Sequence, residues 1–488
     1  MFYRSAGILM PVSALPSKYG IGTFGKEAYN FIDFLHSANQ KYWQLLPIGP
    51  VSYGDSPYSS FSIYAGNPYY IDLELLIDKG YLSYSDCEAI DSDEEYVDYE
   101  KQFKYRYKIL YKAFENSRGI IDNETTAFKL NNNWIYDYSL FMALKYHFNQ
   151  KPWHLWDEEI SERNKEAIKK YETLLKDDMK FWTFVQYLFF EQYSNLKAYA
   201  DKRDILIIGD MPIYVAEDSV EAWTERNLFL PSLIAGVPPD AFSDDGQLWG
   251  NPVYNWGYLK ENSYKWWTNR FRWSFELYDA VRIDHFRGLD EFWAVPDNSK
   301  NAVNGRWYTA NGRELFEHVI MKLGSLNIIA EDLGIITDSV TGLKDEFNFP
   351  GMKVLQFAFD GNLDNPYLPE NYEENSVAYT GTHDNDTLKG WYNKLDENIK
   401  QIVLKKLNIN EEISEDETIN NIIKRVLDSK ASLAIIPLQD YLKLDSKGRI
   451  NTPSTLGGNW IWRIKKGMLI HELSNKIKRM TINSDRTH

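Results

Sequence analysis

Cysteine is nearly missing from this chain: Cys87 stands alone among 488 residues. A single thiol builds no intrachain disulfide and no multi-cysteine metal site, and it favours a reducing compartment, so a cytoplasmic location is expected. Long apolar runs are missing as well. No 18 consecutive apolar residues occur, and the short run 6–10, closed by Pro11, is too brief for the core of a signal peptide. Positive charge is in deficit, with 54 Lys and Arg against 70 Asp and Glu and a net charge of −16. General attraction to nucleic acid or anionic lipid would have the wrong sign. These absences leave a soluble protein acting on a neutral or locally handled substrate, with no nucleic-acid or membrane partner; no protein partner is named by the sequence.

Apolar and aromatic residues are plentiful, at 44% and 15%, which excludes a disordered chain. Eight short β-branched or apolar runs, bounded by Gly, Pro, Asp or Asn, lie at 7–10, 43–46, 205–209, 279–284, 327–331, 352–357, 376–380 and 431–436. Stretches with helical spacing separate most of them, including 27–38, 181–201, 264–277, 313–323 and 419–427. Alternation of strand with helix implies a parallel sheet. A doubly wound sheet fits that alternation nearly as well, but polar residues gather at the strand ends, so an α/β fold of the (β/α)8 barrel type is expected.

The gap 47–204 far exceeds an ordinary connection between strands. Its span 73–180 is expected to form a helical insertion subdomain between the second and third strands, with apolar spacing at Phe103, Tyr107, Leu110 and Phe114. Its Trp134, Trp153 and Trp156 are expected in the core rather than at a separate binding site, as is Tyr53. The stretch 211–261 has little helical pattern and many Pro, Gly, Asp and aromatic residues, and reads as a long functional loop over a barrel mouth. At 468–480 the helical spacing of Ile470, Leu473, Ile477 and Met480 reads as a packing face.

Chemistry concentrates at three strand ends. In Asp279-Ala280-Val281-Arg282-Ile283-Asp284-His285, period two puts Arg282 and Asp284 on one face and Val281 and Ile283 on the other. A guanidinium two residues away favours the ionised carboxylate that a nucleophile requires, although an ion pair filling the barrel end would read the same way. The fifth run ends in Glu331-Asp332-Leu333-Gly334 and the seventh in Gly381-Thr382-His383-Asp384-Asn385-Asp386. Each alone is compatible with a cap or turn. Three strands delivering acids to one rim, amid abundant Trp and Tyr, suit glycosidic-bond chemistry, in which one acid protonates the leaving oxygen and another attacks or stabilises the anomeric carbon. That chemistry needs no cofactor. Asp244-Asp245-Gly246 lacks the alternating oxygen ligands of a Ca²⁺ loop, and Cys87 with scattered histidines offers no zinc spacing, so no metal is expected either.

The ordered set Arg282-Ile283-Asp284, Glu331 and His383-Asp384 resembles the α-amylase clan of retaining glycosidases and transglycosidases. Within that clan, Gly54-Asp55-Ser56-Pro57-Tyr58, Gly209-Asp210-Met211-Pro212-Ile213-Tyr214-Val215 and the long run 236–252, from Gly236-Val237-Pro238-Pro239 to Gly250-Asn251-Pro252, resemble the 4-α-glucanotransferases, or amylomaltases. The likeness extends to Asn451-Thr452-Pro453 and Asn459-Trp460 and departs from the family pattern at Ala241.

The resemblance implies a single barrel over 1–488 that transfers segments of α-1,4-glucans to the 4-hydroxyl of glucose or another glucan, with maltooligosaccharides as substrates. It implies Asp284 as nucleophile, Glu331 as general acid and base, and Asp384 as transition-state stabiliser. Arg282 would tune Asp284, His383 would bond the donor sugar, and Asp210 would support the site. Ser56 and Tyr58 would touch glucan near the scissile bond, while Asp240, Phe242, Gln247 and Trp249 would sit on a flexible loop covering it, unless that loop is simply packed. A retaining reaction implies Asp284 and Glu331 carboxyls ~5–5.5 Å apart, and neighbouring acids should raise the Glu331 pKa. An amylase-like hydrolase and a non-catalytic glucan-binding protein are the other readings.

Overall fold

The computed structural model describes residues 2–52, 54–92, 95–239, 243–362 and 364–487. Among them lie twelve strands: β1 (Ser5–Leu9), β2 (Tyr42–Gln44), β3 (Leu206–Pro212), β4 (Phe229–Val237), β5 (Gln247–Tyr254), β6 (Ala280–Asp284), β7 (Glu291–Pro296), β8 (Arg306–Thr309), β9 (Ile328–Ala330), β10 (Gly351–Val354), β11 (Ser376–Tyr379) and β12 (Leu433–Pro437). Strands β1, β2, β3, β6, β9, β10, β11 and β12 close a parallel barrel in chain order, and each coincides with one of the eight apolar runs. Closure leaves no edge, and buried faces on both sides explain why these strands read as apolar runs rather than as alternation.

Register places the chemistry. Asp210 on β3 lies opposite Arg282 on β6, and Ile283 lies opposite Ala330 on β9, so Asp284 and Glu331 leave neighbouring strands side by side. Val281 and Ile283 are fully buried on the other face. Gly209 is required just before Asp210, because a Cβ there would meet the Tyr278 ring at 2.2 Å.

Between β2 and β3 run the helices Tyr99–Ser117, Asp122–Asn131, Trp134–His147 and Lys165–Leu174, followed by the 27-residue helix Lys176–Lys202 that leads into β3. Their aromatic side chains join the barrel core directly; Phe189 of the long helix meets Phe24 edge-on at 5.1 Å. In the helix Tyr99–Ser117 the buried face is Gln102, Arg106, Ile109, Leu110, Ala113 and Phe114, while Phe103 is exposed, so the packed stripe is rotated from the one its apolar residues suggest. Trp156 is buried in the core, Trp134 and Trp153 are half-buried against it, and Tyr53 lies outside the described residues. The C-terminal helix His471–Asn483 buries Ile477, and Ile470 just before it is exposed.

The stretch 211–261 differs from the long loop expected there. It contains β4 and β5, an antiparallel pair that joins β7 and β8 in a four-stranded sheet ordered β5-β4-β7-β8. Pro252 is tolerated because β5 is an edge strand, and Pro231 falls where the β4–β5 register shifts.

Candidate active site

Arg282 organises the mouth of the barrel. Its Nη1 donates to Asp210 Oδ1 and Oδ2, both at 2.8 Å, and lies 2.9 Å from Asp284 Oδ1. Its Nε faces Met352 Sδ at 3.4 Å. The side chains of Arg282 and Asp210 are 4% and 0% exposed, against 31% for Asp284, so the guanidinium is a buried counter-ion and Asp284 is the carboxylate that meets the cleft. Oδ1 is the Asp284 oxygen that the guanidinium holds. Burial pushes Asp210 up, but a guanidinium across both oxygens and the Tyr58 hydroxyl at 2.7 Å hold it as the anion of a fixed ion pair.

Glu331 is positioned by backbone. Its Oε2 accepts the His285 N–H at 2.6 Å and its Oε1 the Leu333 N–H at 3.0 Å, while its own N–H donates to the Ile283 carbonyl at 3.1 Å. His285 takes a left-handed turn, φ 53°, directly after Asp284, so the peptide that follows Asp284 is the one that grips Glu331. Burial and then the Asp284 charge push the Glu331 carboxyl up to about 8, against Arg282 and the two N–H donors. The direction agrees with the sequence expectation; the leading cause is burial rather than neighbouring acids. Burial also lowers His285 to about 4, which leaves that ring neutral.

Asp384 is held on the opposite side. Asn451 Nδ2 donates to its Oδ1 at 2.6 Å, His383 Nε2 lies 3.3 Å from its Oδ2, and Arg449 Nη2 donates to its carbonyl at 2.7 Å. Burial disfavours its charge, yet His383, Asn451 and Arg282 outweigh that and hold the carboxyl well below the usual range. His383 moves the other way: its burial favours the neutral ring, and Asp384 more than restores the proton. The Tyr58 ring stacks on His383 at 5.1 Å, its hydroxyl is 3.5 Å from His383 Nδ1, and Trp460 flanks both rings.

The structure therefore joins Asp210, Arg282, Asp284, Glu331, Tyr58, His383 and Asp384 in one site. Ser56 lies on the same loop as Tyr58, whose N–H it caps at 3.3 Å. Trp249 meets His285 edge-on at 4.7 Å, and its Nε1 donates to Gln247 Oε1 at 3.1 Å. Both residues stand on β5, so strand rather than flexible loop carries them, and the antiparallel ladder with β4 is the reason. Asp240 and Phe242, with Ala241, lie outside the described residues.

Asn451, Arg449, Trp460 and His285 belong to the site without having been singled out from the sequence. Asn451 and Trp460 occur only within runs that mark the extent of the family likeness, and Arg449 lies 65 residues from Asp384, with no spacing rule to link them. Among the described residues no group of three or more His, Cys, Asp or Glu is arranged to hold a metal.

A family profile described as 4-alpha-glucanotransferase matches residues 10–469. A 4-alpha-glucanotransferase of Clostridium butyricum is 48% identical over 486 residues, covering 97% of this chain and 99% of the relative. One from Thermus thermophilus is 41% identical, covering 99% of each. A solved amylomaltase from Streptococcus agalactiae, in complex with acarbose, superposes with a TM-score of 0.96 at 40% identity, covering 99% of this chain and 100% of the other.

Proposed function

The chain belongs to the 4-alpha-glucanotransferases of glycoside hydrolase family 77, and from that membership we propose how its residues divide the work of a double displacement. The enzyme is a retaining transferase acting on α-glucans; charge and geometry support the roles given to its carboxylates, and the family likeness supports those given to its sugar contacts. The carrying observation is the pairing, on adjacent strand ends, of a carboxylate held by a buried guanidinium with a carboxyl pushed up to about 8.

In the first step protonated Glu331 gives its proton to the glycosidic oxygen while Asp284 Oδ2 attacks the anomeric carbon, releasing the reducing-end fragment and forming a glycosyl ester. In the second, ionised Glu331 takes the proton from an incoming sugar 4-hydroxyl, which displaces Asp284 from the same carbon. Two inversions leave the α configuration unchanged. The positive charge that builds at the anomeric carbon in the transition state of each step faces Asp384, whose carboxyl is held well below the usual range, and Arg282 eases the departure of Asp284 as a leaving group. His383, Tyr58 and Ser56 are assigned to the donor sugar, and Trp249, Gln247, Asp240 and Phe242 to the cover that favours a sugar acceptor over water.

On this reading the substrates are α-1,4-glucans and maltooligosaccharides. The division into a barrel over 1–488, a helical insertion over 73–180 and a mouth region over 211–261 is part of the proposal. The single cysteine, buried as Cys87, goes with a cytoplasmic location, and the family with a part in glycogen or starch metabolism. Incubation with maltotriose alone is the test. Glucose together with a ladder of longer chains is expected, and shorter sugars with nothing longer than maltotriose would contradict transfer to a sugar acceptor.

A further inference from the structure

Asp384 stands in the segment 381–387, which leaves the end of β11 and returns in the helix Leu388–Lys394. Its bonds to His383 and Asn451 fix the carboxyl only if that segment is itself fixed. The short helix Leu438–Tyr441, directly after β12, carries Asp440, which is 1% exposed. Asp440 Oδ2 accepts from Thr380 Oγ1 at 2.5 Å, and its Oδ1 accepts from the Leu388 N–H at 2.7 Å. One carboxyl group therefore joins the residue before the segment to the residue after it, and so sets the span that the segment bridges. The adjacent Gln439 donates from Nε2 to the Gly448 carbonyl at 3.3 Å, next to the Arg449 and Asn451 that reach Asp384.

Within the segment the ties are local. The Thr382 N–H and Oγ1 donate to Asn385 Oδ1 at 2.8 and 2.9 Å, and the Asp384 N–H donates to Thr382 Oγ1 at 3.2 Å. These bonds shape the turn without tying its two ends to each other. Burying a carboxyl with no cation beside it is costly, and among the described residues none pairs with Asp440. Burial pushes it up to about 7, against the two donors at the ends of the segment. An acid kept there at such a cost is explained by the two acceptor oxygens it offers to donors on separate elements.

We propose that Asp440 is a positioning residue for the transfer reaction: by holding Thr380 and Leu388 together it sets where His383 and Asp384 meet the sugar. Asp440 is buried away from substrate and acts through Asp384, so this role rests on the part given to Asp384 in the double displacement. A misplacement of about 1 Å costs on the order of 10²-fold in rate. The loss falls on kcat, because the charge that Asp384 faces exists only in the transition state.

A double-variant cycle on the full chain tests this, with α-maltosyl fluoride as a donor reactive enough to keep weak variants measurable. Asp440→Ala should lower kcat about 30-fold with KM within about threefold. Asp440→Asn, whose amide keeps both contacts once the Thr380 hydroxyl accepts, should stay within about fivefold of the parent. Beside Asp384→Asn, Asp440→Ala should cost less than about threefold, because no carboxylate is left to misplace. The full loss in that background would mark a general structural role and overturn the proposal. So would an unchanged kcat in Asp440→Ala, or a loss in Asp440→Asn equal to that in Asp440→Ala. If Asp440→Ala does not fold, Thr380→Val, which removes one of the two donors, decides by the same cycle. A loss of about fivefold in kcat that vanishes beside Asp384→Asn supports the proposal; an unchanged kcat, or an equal loss in both backgrounds, overturns it. Asp384→Asn alone tests the part given to Asp384. Undiminished kcat there strikes that part and this proposal together, whereas a large loss there with none in Asp440→Ala strikes this proposal alone.

Discussion

Asp210, Arg282 and Tyr58 on one side of the mouth are fixed by contacts of 2.7–2.9 Å, whereas Trp249 on the neighbouring sheet has a hydrogen bond to Gln247, two residues away, and keeps 37% of its surface exposed. Asp210 and Arg282 stand on barrel strands whose register is set by closure, and Tyr58 is tied to Asp210 from the loop after β2. Trp249 stands on β5, the edge of a four-stranded sheet. Bond-making groups must be positioned before substrate arrives, because misplacement forfeits transition-state stabilisation. On the proposed reading Trp249 belongs to a cover that must yield to a glucan and then an acceptor, and an edge strand, paired on one side, is held by fewer ladder bonds than a strand of the closed barrel.

Substitutions on the two sides should separate these roles. The largest effect is expected from Asp284→Asn, which should lower turnover on the order of 10⁴-fold while glucan binding remains measurable by calorimetry. Comparable turnover would remove the nucleophile from the rim. Next, Arg282→Met strips the counter-ion from a carboxylate buried at 0% exposure. Breaking such a pair costs about 3–5 kcal/mol, so both thermal stability and activity should fall, with the melting temperature as the readout. An unchanged melting temperature would show that Asp210 finds another partner.

The pH dependence sharpens the rim assignment. Glu331 must be protonated in the free enzyme to donate in the first step, so kcat/KM should hold below pH of about 8 and fall about tenfold per unit above it. An α-glucosyl fluoride, whose leaving group needs little protonation, should lose that alkaline limb; a limb that persists assigns the titration to another group. Asn451→Ala removes a 2.6 Å bond to Asp384 and should lower kcat about 10-fold with a smaller change in KM. Last, Trp249→Ala should leave total consumption of maltotriose within about threefold yet shift products towards hydrolysis, read as the ratio of reducing ends formed to longer chains. An unchanged ratio would break the contrast between a fixed rim and a yielding cover.

The same contrast governs what was legible in the sequence. Barrel strands announce themselves because both faces are buried, which makes each an apolar run, and period two alone put Arg282 and Asp284 on one face. The sheet beside the mouth was hidden: Pro231, Gly236, Gly250 and Pro252 give β4 and β5 the composition of a loop, and only edge placement and a register shift accommodate them. Asn451 and Arg449 were hidden for another reason. They reach Asp384 across 67 and 65 residues, and such contacts exist only once the barrel has closed. In the helix Tyr99–Ser117, buried Gln102 and Arg106 rotate the packed face away from Phe103; Gln102 donates to the Tyr19 carbonyl and Arg106 to the Ile71 carbonyl, so polar residues take the inward positions.

Trapping the glycosyl-enzyme tests the central claim most directly. The full chain, treated with a 5-fluoro-α-glucosyl fluoride that slows the second displacement, should gain the mass of one glycosyl group, and peptide mapping should place it on Asp284. A label on another carboxylate, or turnover without a label and with inverted anomeric configuration, would contradict the account.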